Sequence, residues 1–146
     1  MDIREISSKN TLALRNKILR PGKDLSACEF EGDNAPSARH FAALDEENSI
    51  VGVVSVYRND NPSVKAERAY QIRAMATDSA CRGLGVGKLL LAAVENYARS
   101  ERSSLIWANA RSSALGFYTK SGYNIATSEF YIEGVGPHYL VIKSLV

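Results

Sequence analysis

The sequence predicts one α/β domain, and three observations carry that prediction. Its 146 residues suit a single hydrophobic core. Short β-branched and apolar runs alternate with stretches of helical periodicity. In mid-chain, a strand runs into a glycine-rich turn that opens an amphipathic helix.

Taken in order, Asp2 to Ile6 alternates weakly and reads as a short edge strand. Ser7 or Ser8 then caps a helix that carries Leu12, Leu14, Ile18 and Leu19 and stops at Pro21-Gly22. Residues 21 to 37 hold Pro21, Gly22, Gly32, Asp33, Asn34 and Pro36, which is loop chemistry. Ala38 to Leu44 and Ile50 to Tyr57 read as two strands, the second β-branched enough to be central. Arg58 to Lys65 is polar with Asn61-Pro62, a turn or loop.

Tyr70 to Thr77 reads as the strand before the glycine turn. After it, Val86, Leu89, Leu90, Ala93, Val94 and Tyr97 recur every three or four residues, one face of a helix ending near Ser100. Leu105 to Asn109 is a strand and Ser113 to Lys120 a short helix. Ile125 to Glu133 and His138 to Leu145 close the chain as a hairpin around Gly134-Val135-Gly136-Pro137. No repeat, low-complexity tract or linker suggests a second domain, so the expectation is one domain over 1–146.

Composition narrows the function classes. Hydrophobic residues make up 45% and charged residues 23%, near the globular average. The net charge is +2 from 18 basic and 16 acidic residues without a basic run, so nucleic acid is not the expected partner. Cys28 and Cys81 are far apart and fit no metal spacing, which favours a reduced, cytoplasmic chain. The opening residues lack the apolar core of a signal peptide, and no apolar run is long enough to span a bilayer, so no membrane role is expected.

The turn itself, Arg82-Gly83-Leu84-Gly85-Val86-Gly87-Lys88, carries the chemistry. A glycine-rich helix start exposes unpaired N–H groups at the positive end of the helix dipole, a seat for phosphate oxygens. Glycine permits close approach of a ligand and positive φ. A P-loop would need G-x-x-x-x-G-K-S/T, but Leu89 follows Gly87-Lys88 and Arg82 stands where the first glycine belongs. A dinucleotide fingerprint, G-x-G-x-x-G, would need its third glycine one residue later than Gly87. A kinase glycine loop lies between two strands and needs a far longer chain. What remains is Arg82-x-x-Gly85-x-Gly87.

That pattern resembles the acetyl-CoA loop, Q/R-x-x-G-x-G/A, of the GNAT superfamily of N-acetyltransferases. Leu105-Ile106-Trp107-Ala108-Asn109-Ala110 is similar to that family's fifth strand. Ala114, Phe117, Tyr118 and Lys120-Ser121-Gly122-Tyr123 are similar to its A-x-x-F-Y-x-x-x-G-F/Y helix and turn. Asn109-Ala110-Arg111 and Gly136-Pro137-His138-Tyr139 resemble a group of small bacterial members of undefined substrate. The resemblance spans about residues 38 to 146 and is looser before that.

It implies a mixed, mostly antiparallel, twisted sheet of six or seven strands with helices on both faces. It implies acetyl transfer from acetyl-CoA to a primary amine of a small molecule or peptide, by direct attack in a ternary complex. The backbone from Arg82 to Lys88 (Gly83, Leu84, Gly85, Val86 and Gly87 between them) would hold the pyrophosphate, the Arg82 and Lys88 side chains adding charge. Met75, Ala76 and Thr77 would pair with the pantetheine arm, and the N–H near Ala76 would donate to the thioester oxygen. Asn109 would offer its amide to the pantetheine; capping the following helix is the plainer alternative. Tyr118 would be the general acid at the cofactor sulfur, and packing alone is the alternative.

The base is the open position. Relatives often carry a glutamate on the cofactor strand, where this chain has Gln71, which cannot accept a proton at neutral pH. His138 suits the task by its unperturbed pKa of about 6.5. His40 is expected to be a satisfied core histidine. Glu133, Glu29, Glu31 and Asp33 are further candidates whose spacing singles none out. Arg73 and Arg111 read as surface or ion-paired residues, with binding of an acceptor carboxylate the other reading. Cys81 reads as a small apolar filler beside the phosphate loop. No metal is expected; exposed strand edges in such folds often pair, so a homodimer is one of the oligomeric states the sequence leaves open. A non-catalytic acyl-CoA-binding or sensor module is the competing function.

Overall fold

A computed structural model describes Met1–Val146. Its eight strands form one sheet in the order β1-β2-β3-β4-β5-β8-β6, with β7 also pairing β8. They are β1 (Asp2–Ile6), β2 (Arg39–Leu44), β3 (Ile50–Arg58), β4 (Tyr70–Thr77), β5 (Leu105–Arg111), β6 (Asn124–Ile125), β7 (Phe130–Ile132) and β8 (Gly136–Ser144). Every pairing is antiparallel except β4 with β5. The regular helices are α1 (Leu12–Leu14), α2 (Val86–Ser100) and α3 (Leu115–Lys120).

Strand alternation sends side chains to two cores. On one face, Val54, Val56, Ile72, Ile106, Ala108 and Val141 pack against Val86, Leu90, Leu91 and Val94 of α2 and Tyr118 of α3. Helix α2 lies close to the sheet because Gly52 has no side chain: a Cβ there would stand 2.8 Å from Val86 Cγ1. On the other face, Leu14, Ile18 and Leu19 cover Ala42, Leu44, Val53 and Ala76, and Trp107, Leu140 and Ala69 form a third cluster. Helices therefore sit on both faces, as the sequence implies.

Two elements depart from expectation. The first helix is not a continuous α-helix but a 3₁₀ turn (Ser8–Thr11), the single α turn α1 and a π turn (Arg15–Leu19), and Ser7 makes no capping bond. The π turn holds Arg15, whose guanidinium is buried beneath the loop of residues 21–37. The final hairpin turns at Gly134 (φ +78°), where Val135 N–H donates to Ile132 O. Gly136 and Pro137 belong to strand β8 instead, and the partner strand is broken into β6 and β7. A Gly-Pro pair suits a turn, but it also suits a strand start, where the missing proline N–H costs no ladder bond.

Candidate active site

Strands β4 and β5 pair only at Tyr70–Ile106 and Gln71–Trp107 and then part. A cleft of about 880 Å³ opens where they part, lined among others by Gln71, Arg73, Met75, Asn109, Arg111, Phe117, Tyr118 and His138. β4 is bulged beside it: the register with β3 shifts between Val53–Ala76 and Ser55–Arg73, and Ala74 takes φ +57°. A left-handed alanine costs about 1–2 kcal/mol and no residue type announces it in the sequence. Beyond the bulge, Asp78 N–H donates to Val51 O at 2.8 Å. Amides alternate sides along a strand, so that of Ala76 faces β3, while those of Met75 and Thr77 face the open side. Met75 lines the cleft; Ala76 and Thr77 do not.

At the end of β4 the chain makes a 3₁₀ turn (Ser79–Cys81) and enters the glycine loop. Gly85, at φ +75°, starts α2 without a side-chain cap. The amides of Gly83, Gly85, Val86, Gly87 and Lys88 have no acceptor in the protein, and the first helical bond is Leu89 N–H to Gly85 O. A Cβ on Gly83 or Gly85 would meet nothing within 4 Å, so space stands open above these donors. Arg82, Leu84 and Lys88 are exposed and Val86 is buried. The loop lies outside the cleft lining but abuts it through Gly87, whose Cβ would stand 3.0 Å from the ring of Phe117. Unpartnered amides under open space fit the diphosphate of coenzyme A.

Tyr118 is 6% exposed and edge-packed between Phe117 and Tyr123. Its hydroxyl has no partner within the protein, yet is not sealed from the cleft. Burial pushes the phenol far above its ordinary pKa, so it keeps its proton at neutral pH. His138 is 4% exposed, stacked on Phe130, with Nδ1 2.7 Å from Gly136 O. Asn109 is exposed in the cleft without a protein partner, and no side-chain cap from it precedes α3.

The other base candidates sort themselves by contact. Asp33 is removed from the list. Burial works to raise its pKa, but hydrogen bonds from Arg15, Tyr57 and Phe30 N–H outweigh it and hold the carboxyl at about 2. It accepts a two-pronged bond from Arg15 at 2.8 and 3.0 Å. His40 is a satisfied core residue, as expected, bonded to Ser55 Oγ at 2.6 Å and Asp33 O at 2.8 Å. Glu29 is exposed outside the cleft, Glu31 is exposed in an adjoining cavity that shares Gln71 and Arg73 with it, and Glu133 is exposed on the cleft itself. Gln71, which lines it, accepts from Asn59 Nδ2 at 2.9 Å. Arg73 and Arg111 line it too, and neither forms an ion pair; Arg111 is exposed, as the surface reading has it, while Arg73 is half-buried and fits neither. Both cysteines are free, Cys28 buried and Cys81 packed against the core. Sequence reasoning missed Phe30, Arg20 and Lys23, which wall the cleft from a loop with no periodicity to place them.

Comparison with known proteins gives the family and the fold. The model of the acetyltransferase (GNAT) family matches residues 6–123, and the chain belongs to that family. Over 145 residues it is 27% identical to an uncharacterized N-acetyltransferase, YitI, of Bacillus subtilis, covering 99% of this chain and 97% of that protein. Its fold matches an aminoglycoside 6'-N-acetyltransferase complexed with coenzyme A (TM-score 0.75, 17% identity, 100% and 98% coverage). It also matches the aminoglycoside 6'-N-acetyltransferase of Enterococcus faecium (TM-score 0.74, 17% identity, 100% and 98% coverage). The chain is thus an acetyl-CoA-dependent N-acetyltransferase of the GNAT family. No helix is long and apolar enough to cross a membrane.

Proposed function

We propose that this chain acetylates a primary amine of a small molecule or peptide by direct attack within a ternary complex. One observation carries the reading. The gap between β4 and β5 brings an unpartnered tyrosine hydroxyl, Tyr118, and an unpartnered imidazole nitrogen, His138 Nε2, into one cleft.

Acetyl-CoA supplies the activated acetyl group as a thioester. The amides of Gly83 to Lys88 would hold its diphosphate, with Arg82 and Lys88 adding charge. Met75 and Thr77, on the open side of β4, would pair with the pantetheine amides, and Asn109 would reach the same arm from β5. The Met75 N–H, rather than that of Ala76, would donate to the carbonyl oxygen as negative charge gathers there. His138 Nε2 would take a proton from the incoming amine, whose nitrogen forms the new N–C bond. The C–S bond breaks, and the Tyr118 hydroxyl would donate to the departing sulfur. The proton held by His138 then returns to Tyr118 through solvent, so the balance is one amide and one thiol.

The test is initial-rate kinetics with acetyl-CoA and an amine panel, read as released thiol and acetylated product. Intersecting double-reciprocal lines are expected. Parallel lines would point to an acyl-enzyme and overturn direct attack, and tight coenzyme A binding without turnover of any amine would favour the sensor module.

A further inference from the structure

The cleft wall carries cations, Arg20, Lys23, Arg73 and Arg111, that form no ion pair with any carboxylate of this chain. Arg73 stands on β4 immediately before the bulge, half-buried, with no hydrogen bond or ion pair. Its guanidinium rests 5.0 Å from the ring centroid of Phe30. Arg20 covers the same ring at 4.8 Å, bonded only to Ala27 O at 2.7 Å. Arg15 is there too, at 4.5 Å, but it is already matched to Asp33. Across the gap, Arg111 pairs directly opposite His138 in the β5–β8 register, which puts the two side chains on one face. Facing these groups the cleft offers a single acid, Glu133; Glu31 lines the adjoining cavity beside Arg73 but forms no ion pair with it.

A half-buried guanidinium has five donors and no acceptor of its own, and withdrawing it from water without a counter-charge is unfavourable. A ring face compensates this only weakly. The cationic wall is also separate from the phosphate end: strands rise about 3.3 Å per residue, so Arg73 lies ~13 Å back from Thr77, where β4 hands over to the glycine loop. The charge therefore belongs to the acceptor side. A polyamine or aminoglycoside would meet like charge there, whereas a planar carboxylate fits the guanidinium fork.

We propose that the acceptor amine bears a carboxylate and that Arg73, assisted by Arg20 and Arg111, selects it. This rests on the acetyl-transfer reading above. The test uses matched amines that differ by the carboxylate alone: leucine against 3-methylbutylamine, phenylalanine against 2-phenylethylamine, and lysine against 1,5-diaminopentane, with spermidine as a polycation. The acid of each pair is expected to exceed its partner in kcat/KM by about tenfold or more, the least that one charge-assisted pair supplies. Arg73→Gln should collapse that ratio chiefly through KM, and Arg73→Lys should retain part of it, both with unchanged coenzyme A affinity. Turnover of the amines with no preference for the acids, or with spermidine preferred, would overturn the proposal and leave the transferase reading standing. No turnover of any amine would overturn both.

Discussion

The imidazole of His138 lies with Nδ1 2.7 Å from the carbonyl oxygen of Gly136. A carbonyl can only accept, so Nδ1 carries the proton and Nε2 is left with its lone pair towards the cleft. The bond thus selects the tautomer that a base needs. It comes from Gly136 lying within β8, two residues before His138, so the strand start that replaced the expected turn also orients the ring.

Replacing this base has a defined consequence. His138→Gln should lower kcat by about 10²–10⁴-fold, the usual share of a general base, with coenzyme A affinity retained. Raising the pH, which deprotonates the acceptor amine without help, should recover part of the loss. Calorimetry and a pH–rate profile check both halves; a variant with wild-type kcat would move the role elsewhere.

Tyr118 makes no hydrogen bond within the protein, so Tyr118→Phe leaves packing intact. Stability should change little, while turnover should fall by roughly ten- to a thousandfold at nearly constant cofactor affinity. The measurement is kcat beside thermal melting. Because burial raises the phenol, no loss of activity from Tyr118 ionisation is expected anywhere below the ordinary tyrosine pKa.

The buried Arg15–Asp33 pair pins the cleft wall to the sheet, through Ser55 at 2.9 Å and Tyr57 at 3.3 Å from Arg15 Nη2. Asp33 has its folded pKa depressed to about 2 from an ordinary 3.8. Its contribution is therefore present above pH 3.8 and is lost as pH falls towards 2. Asp33→Asn should cost about 3–5 kcal/mol by stranding a buried guanidinium, and should remove that acid dependence. Urea melts across this pH window read both effects.

How much of this was legible in the sequence depended on what set each element. β4 was read to the residue, and α2 by its buried face and its end near Ser100, because a β-rich run and a 3.6-residue repeat are each set locally. The glycine loop was legible for the same reason: its spacing encodes its own backbone. The first helix was misread because Leu12, Leu14, Ile18 and Leu19 look helical, while the π turn answers to Arg15 reaching Asp33, eighteen positions away. Likewise Arg73 was taken as a surface or ion-paired residue, since nothing local reveals that Phe30 and the loop fold over it. The bulge at Ala74 had no signal, alanine being indifferent in pattern and disfavoured in that conformation. Local backbone was readable; what the irregular loop of 21–37 brings to the cleft was not.

The central claim is that open amides around Gly85 grip coenzyme A. Isothermal titration of coenzyme A into wild type and Gly85→Glu tests it most directly. The new side chain enters open space but must hold φ +75°, a strain of about 1–2 kcal/mol, so the variant should melt a few degrees below wild type and still fold. Its bulk and charge should abolish the binding heat. Unchanged affinity in a folded Gly85→Glu protein would contradict the account.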